Sequence, residues 1–179
     1  MIIALIAILV VVVLWAMGVY NSLIALRTKV EEAFSTMDVY LKKRFDLIPN
    51  LVATVKGYAK HEADTLERVI AMRSKATTPE QQIESEKQIS TAVRNIMVVA
   101  ERYPDLKANQ GFLDLQSQLR AVEEDIANSR RYYNGSVREY NVKIQSVPTN
   151  IIANYFKFEK KPMYEIEDKS ERQNVKVEF

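Results

Sequence analysis

Residues Met1 to Tyr40, MIIALIAILVVVVLWAMGVYNSLIALRTKVEEAFSTMDVY, decide the fold, because two kinds of helix follow one another there without a break. Met1 to Val19 holds no charged side chain, and about 19 helical residues rising roughly 1.5 Å each reach just across a hydrocarbon core of roughly 30 Å. From Leu23 the apolar positions turn periodic: Leu23, Leu26, Val30, Ala33, Met37 and Tyr40 recur at steps of three and four, the stripe of an amphipathic helix. The reading is a transmembrane helix over residues 1–20 that runs straight on into a helical domain.

Trp15 and Tyr20 stand near the end of the apolar run, where amphipathic aromatics favour the membrane interface, and Arg27 and Lys29 follow as its first basic residues. A cleaved signal peptide is the competing reading, since Ala16-Met17-Gly18 resembles a cleavage site. No Lys or Arg precedes the run, however, and the run is longer than a signal core. Arg27, Lys29, Lys42, Lys43 and Arg44 all follow the span, so the positive-inside rule predicts an outside N-terminus and a cytoplasmic C-terminal domain.

The rest of the chain has the size of one domain and a helical composition. Only 4 glycines and 5 prolines punctuate its 179 residues. With 25 basic and 23 acidic side chains the net charge is +2, which argues against a nucleic-acid partner. No cysteine is present, so disulfides and thiolate chemistry are excluded.

Further helices follow by periodicity. Asp46-Leu47-Ile48-Pro49 interrupts the first stripe: Pro49 lacks an N–H, and Asp46 is placed to cap a new helix. A hairpin turn fits, and so does a kink in one longer helix. The second stripe is Ile48, Leu51, Val52, Val55, Tyr58, Ala59, Ala63, Leu66, Val69 and Ile70, running to about Ala76. Thr78-Pro79-Glu80-Gln81 has the form of a helix start, with a face of Ile83, Ile89, Val93, Ile96, Ala100 and Tyr103 before Pro104. A fourth helix opens at Asp105 or Asn109 and carries Phe112, Leu115, Leu119, Val122, Ile126, Ser129, Tyr133, Val137, Tyr140, Ile144 and Val147. Thr149 is placed to cap a short turn beyond Pro148. The fold class is all-α: a single transmembrane helix continuing into an antiparallel four-helix bundle over residues 21–160, with a flexible tail at 161–179. Val175 to Phe179 alternates like a strand, but the tail's polarity favours disorder.

The search for chemistry returns little. His61, the one histidine, has Thr65 where a zinc-protease helix needs a second histidine and Tyr58 where a di-iron bundle needs a glutamate. Glu123, Glu124 and Asp125 are consecutive and point apart around a helix, as solvated surface. No phosphate-binding glycine loop or hydrolase elbow occurs, so the expectation is a non-enzyme without cofactor or metal. Tyr133-Asn134 and Tyr140-Asn141, seven apart, share one helical face, either as core or as a polar seam that sets register or meets a second protomer. Tyr155, Phe156, Lys157, Phe158, Lys160 and Lys161 mix aromatics with lysines. If Pro49 marks a hairpin they lie at the bilayer surface; if it only kinks one helix they lie far from it.

Four motifs carry a resemblance. Arg44-Phe45-Asp46-Leu47-Ile48-Pro49-Asn50-Leu51-Val52, Gly57-Tyr58-Ala59-Lys60-His61-Glu62, Glu101-Arg102-Tyr103-Pro104-Asp105-Leu106-Lys107-Ala108-Asn109 and Tyr133-Asn134-x-x-Val137-x-x-Tyr140-Asn141 together resemble the LemA family over about residues 15–160. The resemblance implies a bacterial inner-membrane protein with a single N-out, C-in anchor and an antiparallel helical bundle of no established enzymatic activity. It also makes Asp46, Pro49 and Asn50, with the two Tyr-Asn pairs, candidate structural motifs. A magnetosome-membrane relative, and members encoded near membrane proteases, imply membrane organisation or quality control. Asn174 stands where the family often has a proline before its final valine. The expected role is a scaffold that self-associates as a homo-oligomer on the lipid bilayer, with an accessory subunit of a membrane protease or transporter as the alternative. A hydrolase with an unrecognised site is the third reading, and no residue supports it.

Overall fold

A computed structural model describes residues 1–58, 64, 67 and 79–164. Among them every regular element is a helix, in the order α1 (Ile2–Lys56), α2 (Pro79–Ala100), α3 (Pro104–Lys107), α4 (Gln110–Gln145) and α5 (Thr149–Tyr155). No strand occurs among the described residues, as an all-α class requires. Most of the second expected stripe beyond Tyr58, up to Ala76, lies outside them, as do His61, Thr78 and the tail from Glu165.

Helix α1 is 55 residues long, and its first part passes the length and composition requirements of a membrane span, with none of that segment buried inside the protein. The same helix then enters the bundle, burying Leu23, Val30, Ala33, Met37 and Leu41. It does not turn at Pro49. Asp46, Pro49 and Asn50 are all inside α1, so Asp46 opens no new helix, and of the two readings open at Pro49 the hairpin is absent and one longer helix is found. The physical reason is packing. A proline in a helix interior costs about 3 kcal/mol, whereas Ile48, Leu51, Val52 and Val55 are all buried, at roughly 1.5–3 kcal/mol each. The helix ends only at Lys56, where Tyr58 N–H bonds to the Val55 carbonyl at 2.9 Å.

Helix α4 runs antiparallel to α1, as three contacts in order show: Lys29 to Glu139 at 2.7 Å, Phe34 to Tyr133 at 5.6 Å between ring centroids, and Arg44 to Glu123 at 2.8 Å. Its start is built by Asn109, whose side chain accepts from Phe112 N–H at 3.0 Å. The apolar face expected from Phe112 to Ile144 is buried along its length. Val147 alone departs: it lies past the helix end and is 80% exposed. Pro104 does not stop α2, which has ended at Ala100; it opens the short α3 instead. Thr149 is the first residue of α5, not its cap.

Two apolar cores stack along the bundle. The lower one joins Leu23 to Leu41 of α1 with Val122 to Ile144 of α4, and the upper one joins Ile48 to Val55 with Ile89 to Ala100 and Phe112. Between them sits Arg44, fully buried. Its guanidinium donates to both Glu86 Oε2 and the Ser90 hydroxyl of α2 and to Glu123 Oε1 of α4, and a longer bond reaches the Glu86 carbonyl at 3.3 Å. Burial pulls the Arg44 pKa down, but Glu123 and Glu86 outweigh it and leave it above its ordinary value.

Arg44→Met removes the guanidinium from the buried Glu86 carboxylate and is expected to cost about 3–5 kcal/mol in urea unfolding of the detergent-solubilised protein. Arg44→Met with Glu86→Leu should recover most of that loss. Equal losses in the two variants would show that the ion pair does not carry the joint.

Candidate functional site: a backbone-reading seam and the membrane-proximal end

The two Tyr-Asn pairs of α4 meet one partner, the stretch Glu159 to Tyr164 that returns along the helix. Asn141 pairs with both peptide groups of Lys161, donating to its carbonyl and accepting from its N–H, each at 2.9 Å. Asn134 does the same with Tyr164, at 2.9 and 2.8 Å. The Tyr140 and Tyr133 hydroxyls donate to the carbonyls of Glu159 and Pro162, at 3.0 and 2.8 Å. Residues 161–164, assigned above to a flexible tail, are therefore hydrogen-bonded to α4.

The spacing explains the match. Seven helical residues advance about 10.5 Å, and three residues of extended or polyproline chain advance about 9–10 Å. Both rung types repeat at that ratio: Asn134 and Asn141 take residues 164 and 161, while Tyr133 and Tyr140 take 162 and 159. Pro162 holds the strap extended, since its ring fixes φ and biases Lys161 away from helix. Of the two readings open for these pairs, core or polar seam, the structure joins both: the tyrosines are buried, and the polar atoms bind the chain's own backbone.

The strap ends by placing Tyr164 in the core beside the Arg44 group. Burial pushes its hydroxyl pKa up to about 12; Arg44 and Arg130 oppose this and Glu86 and Glu123 reinforce it. The Arg130 guanidinium lies 5.6 Å from the ring centroid. Sequence reasoning missed this centre. By sequence Arg44 counts among the basic residues after the span and heads one family motif, and Glu123 falls on solvated surface, yet Arg44 continues the buried stripe of Met37 and Leu41 at helical spacing. That position was the available signal.

The strap begins at the end of the bundle nearest Tyr20. Helix α5 closes with Phe158 N–H bonded to the Ala153 carbonyl at 2.9 Å and with Lys157 at φ 55, a left-handed position usually given to glycine. Phe156 and Phe158 then lie 4.7 and 5.8 Å from Tyr20, ring to ring, and Arg27 stacks 5.6 Å from Phe158. So Tyr20, Arg27, Phe156 and Phe158 form one cluster even though α1 passes Pro49 unbroken. The inference that an unbroken helix would carry these aromatics away from Tyr20 does not hold, because α4 still returns antiparallel to α1. Lys29 bridges to Glu139, and this hydrogen bond and charge raise its pKa. Trp15 stands apart on the exposed span, and Tyr155, Lys157 and Lys160 face outward.

No three metal-ligating side chains converge among the described residues. An open cleft of about 360 Å³ between α2 and α4 has a floor of Val93, Met97 and Leu119 and a rim that includes Arg94, Arg120 and Glu123.

The sequence profile of the LemA family matches residues 33–179. A protein of Metamycoplasma hominis described as Protein LemA is 27% identical over 143 residues, covering 76% of this chain and 64% of the relative. The chain thus spans just under two thirds of that relative's length.

Asn134→Ala and Asn141→Ala each remove a pair of rungs, and amide exchange at Tyr164 and Lys161 should accelerate about 10–100-fold in the respective variant while that of α4 stays slow. Tyr164 has a folded pKa above its unfolded value near 10, so its contribution is complete below about pH 10 and is lost as pH rises toward about 12. Over that window stability should fall by about 2–3 kcal/mol more in the wild type than in Tyr164→Phe, measured by denaturant titration. Parallel declines in the two proteins would refute the assignment.

Proposed function

The chain belongs to the LemA family, and from that premise we propose that it acts as a membrane-anchored interaction protein, without catalysis of its own, that self-associates to organise a patch of bilayer. The observation that carries this reading is the state of α1: its apolar start is uncovered by any other part of the described chain, while its continuation is the central helix of the bundle. A span with no intramolecular partner is free to pack against other spans, and the helices it supports form a stalk. Arg27, Lys29, Lys42 and Lys43 favour an inner-membrane orientation with the bundle in the cytoplasm.

The cleft between α2 and α4 favours a second reading, an accessory subunit that holds another membrane protein such as a protease or transporter. Its apolar floor with an arginine rim suits a helix or loop of a partner.

Light scattering in mild detergent separates the two. A defined multimer of the full-length protein, with a monomeric chain beginning at Leu23, supports self-association through the span. Monomers in both cases sink it, and co-purification of a stoichiometric second protein then selects the accessory role. A cysteine placed at Glu101 should resist an impermeant maleimide in intact cells; modification there would overturn the cytoplasmic orientation.

A further inference from the structure

The end of the bundle nearest Tyr20 carries an apolar surface that nothing in the described chain covers. Val147 is 80% exposed, Ile151 64%, Tyr155 79% and Phe156 50%. Ile151 and Tyr155 stand four apart and so share one side of α5, and Val147 is exposed in the turn that leads into it. The opposite side of α5 is spent on the bundle: Thr149 and Ala153 are buried, and Ile152 packs on the lower core. The short helix is thus apolar on both sides, which a surface helix facing water is not.

Two further observations say what covers the free side. Phe156 stacks on Tyr20, the aromatic at the end of the uncharged run, so the patch is continuous with the segment that meets lipid. From Ile144 to Phe156 no side chain carries a charge, and the next five residues hold Lys157, Lys160 and Lys161 against the single acid Glu159. An uncharged apolar step backed by lysines has the polarity profile of a bilayer interface, with acyl chains below and phosphate groups above. A protein partner would not require the patch to begin at the membrane edge.

We propose that Val147, Ile151, Tyr155 and Phe156 form a foot that sinks into the headgroup and acyl boundary of the leaflet from which α1 emerges, with Lys157 and Lys160 reaching its anionic phosphates. The foot gives the protein a second, non-spanning contact with the same membrane and fixes which side of the bundle faces it. It rests on the reading of α1 as an anchor, and it adds residues that the aromatic-lysine segment alone does not contain.

The absence of cysteine makes the test direct. Spin labels are placed singly, through Ile151→Cys, Tyr155→Cys, Leu9→Cys and Glu101→Cys, on the full-length protein in vesicles of phosphatidylcholine and phosphatidylglycerol, and collision with oxygen is compared with collision with a water-soluble nickel chelate. All four positions are exposed, and helical circular dichroism of each labelled protein checks that packing is kept. The expected result is a shift of the oxygen-to-nickel ratio at Ile151 and Tyr155 away from the Glu101 value toward the Leu9 value, at a shallower depth than Leu9. Ratios at Ile151 and Tyr155 equal to that of Glu101, with Leu9 in lipid, overturn the foot and leave the anchor standing. Shielding of both sites from oxygen and nickel alike also overturns it, and assigns the patch to a protein contact. Nickel access at Leu9 removes the anchor and the foot together.

Discussion

The bundle depends on one buried cation. Arg44 cannot be left without anions in an apolar interior, and the two that satisfy it come from different helices, Glu86 of α2 and Glu123 of α4. Sliding or rotating either helix by one residue would pull a carboxylate away and leave a desolvated cation. Apolar packing alone tolerates many near-equivalent arrangements of three long helices, because leucine, isoleucine and valine stripes slide past one another at modest cost. A fixed guanidinium with fixed acceptors does not. The ion cluster lies between the two apolar cores, so register set there propagates in both directions, toward the membrane and toward the α3 end.

The strap is bound by a different economy. Its hydrogen bonds contribute about 1 kcal/mol each, and ordering an extended residue costs roughly 1–2 kcal/mol, so the seam by itself comes out near balance. Two features tip it. Pro162 has already lost most of its backbone freedom in the unfolded chain, and Tyr164 buries its aromatic ring in the lower core. The strap is therefore tied to the packing of that core, and Tyr164 feels the charge of Arg44 from there. Asparagine is the side chain suited to the rungs, since its amide presents one donor and one acceptor with the spacing of a peptide group.

Much of this was legible in the sequence, and the failures have definite causes. The apolar stripe from Phe112 to Ile144 is a period-3.6 signal long enough to override local ambiguity, and Asn109 as a cap follows from a short polar acceptor three residues before Phe112. Pro49 left a hairpin and a single longer helix open, because a proline's local cost is visible in sequence whereas the four buried side chains that offset it belong to tertiary structure. Glu123 misled because charge runs are normally solvated, and only one member of this run faces a buried cation. Asn134 and Asn141 were recognisable as a shared face, but their partner lies about 20–30 residues further on in an extended stretch with no periodicity of its own, and a contact between a helix and an irregular strap leaves no such pattern to read.

Helix α1 passes from its uncharged segment into the bundle with no glycine pair, loop or break at the boundary, and continues to Lys56. From Tyr20 to Lys56 it measures about 54 Å at 1.5 Å per residue. With its apolar start taken as the proposed span, it is a lever whose short arm is that span. A tilt of the span by roughly 10°, within the range by which membrane helices adjust to bilayer thickness, swings the far end of the bundle by about 9 Å. A change in lipid thickness too small to displace the span appreciably is thus amplified into a movement as large as a helix diameter at the opposite end of the protein.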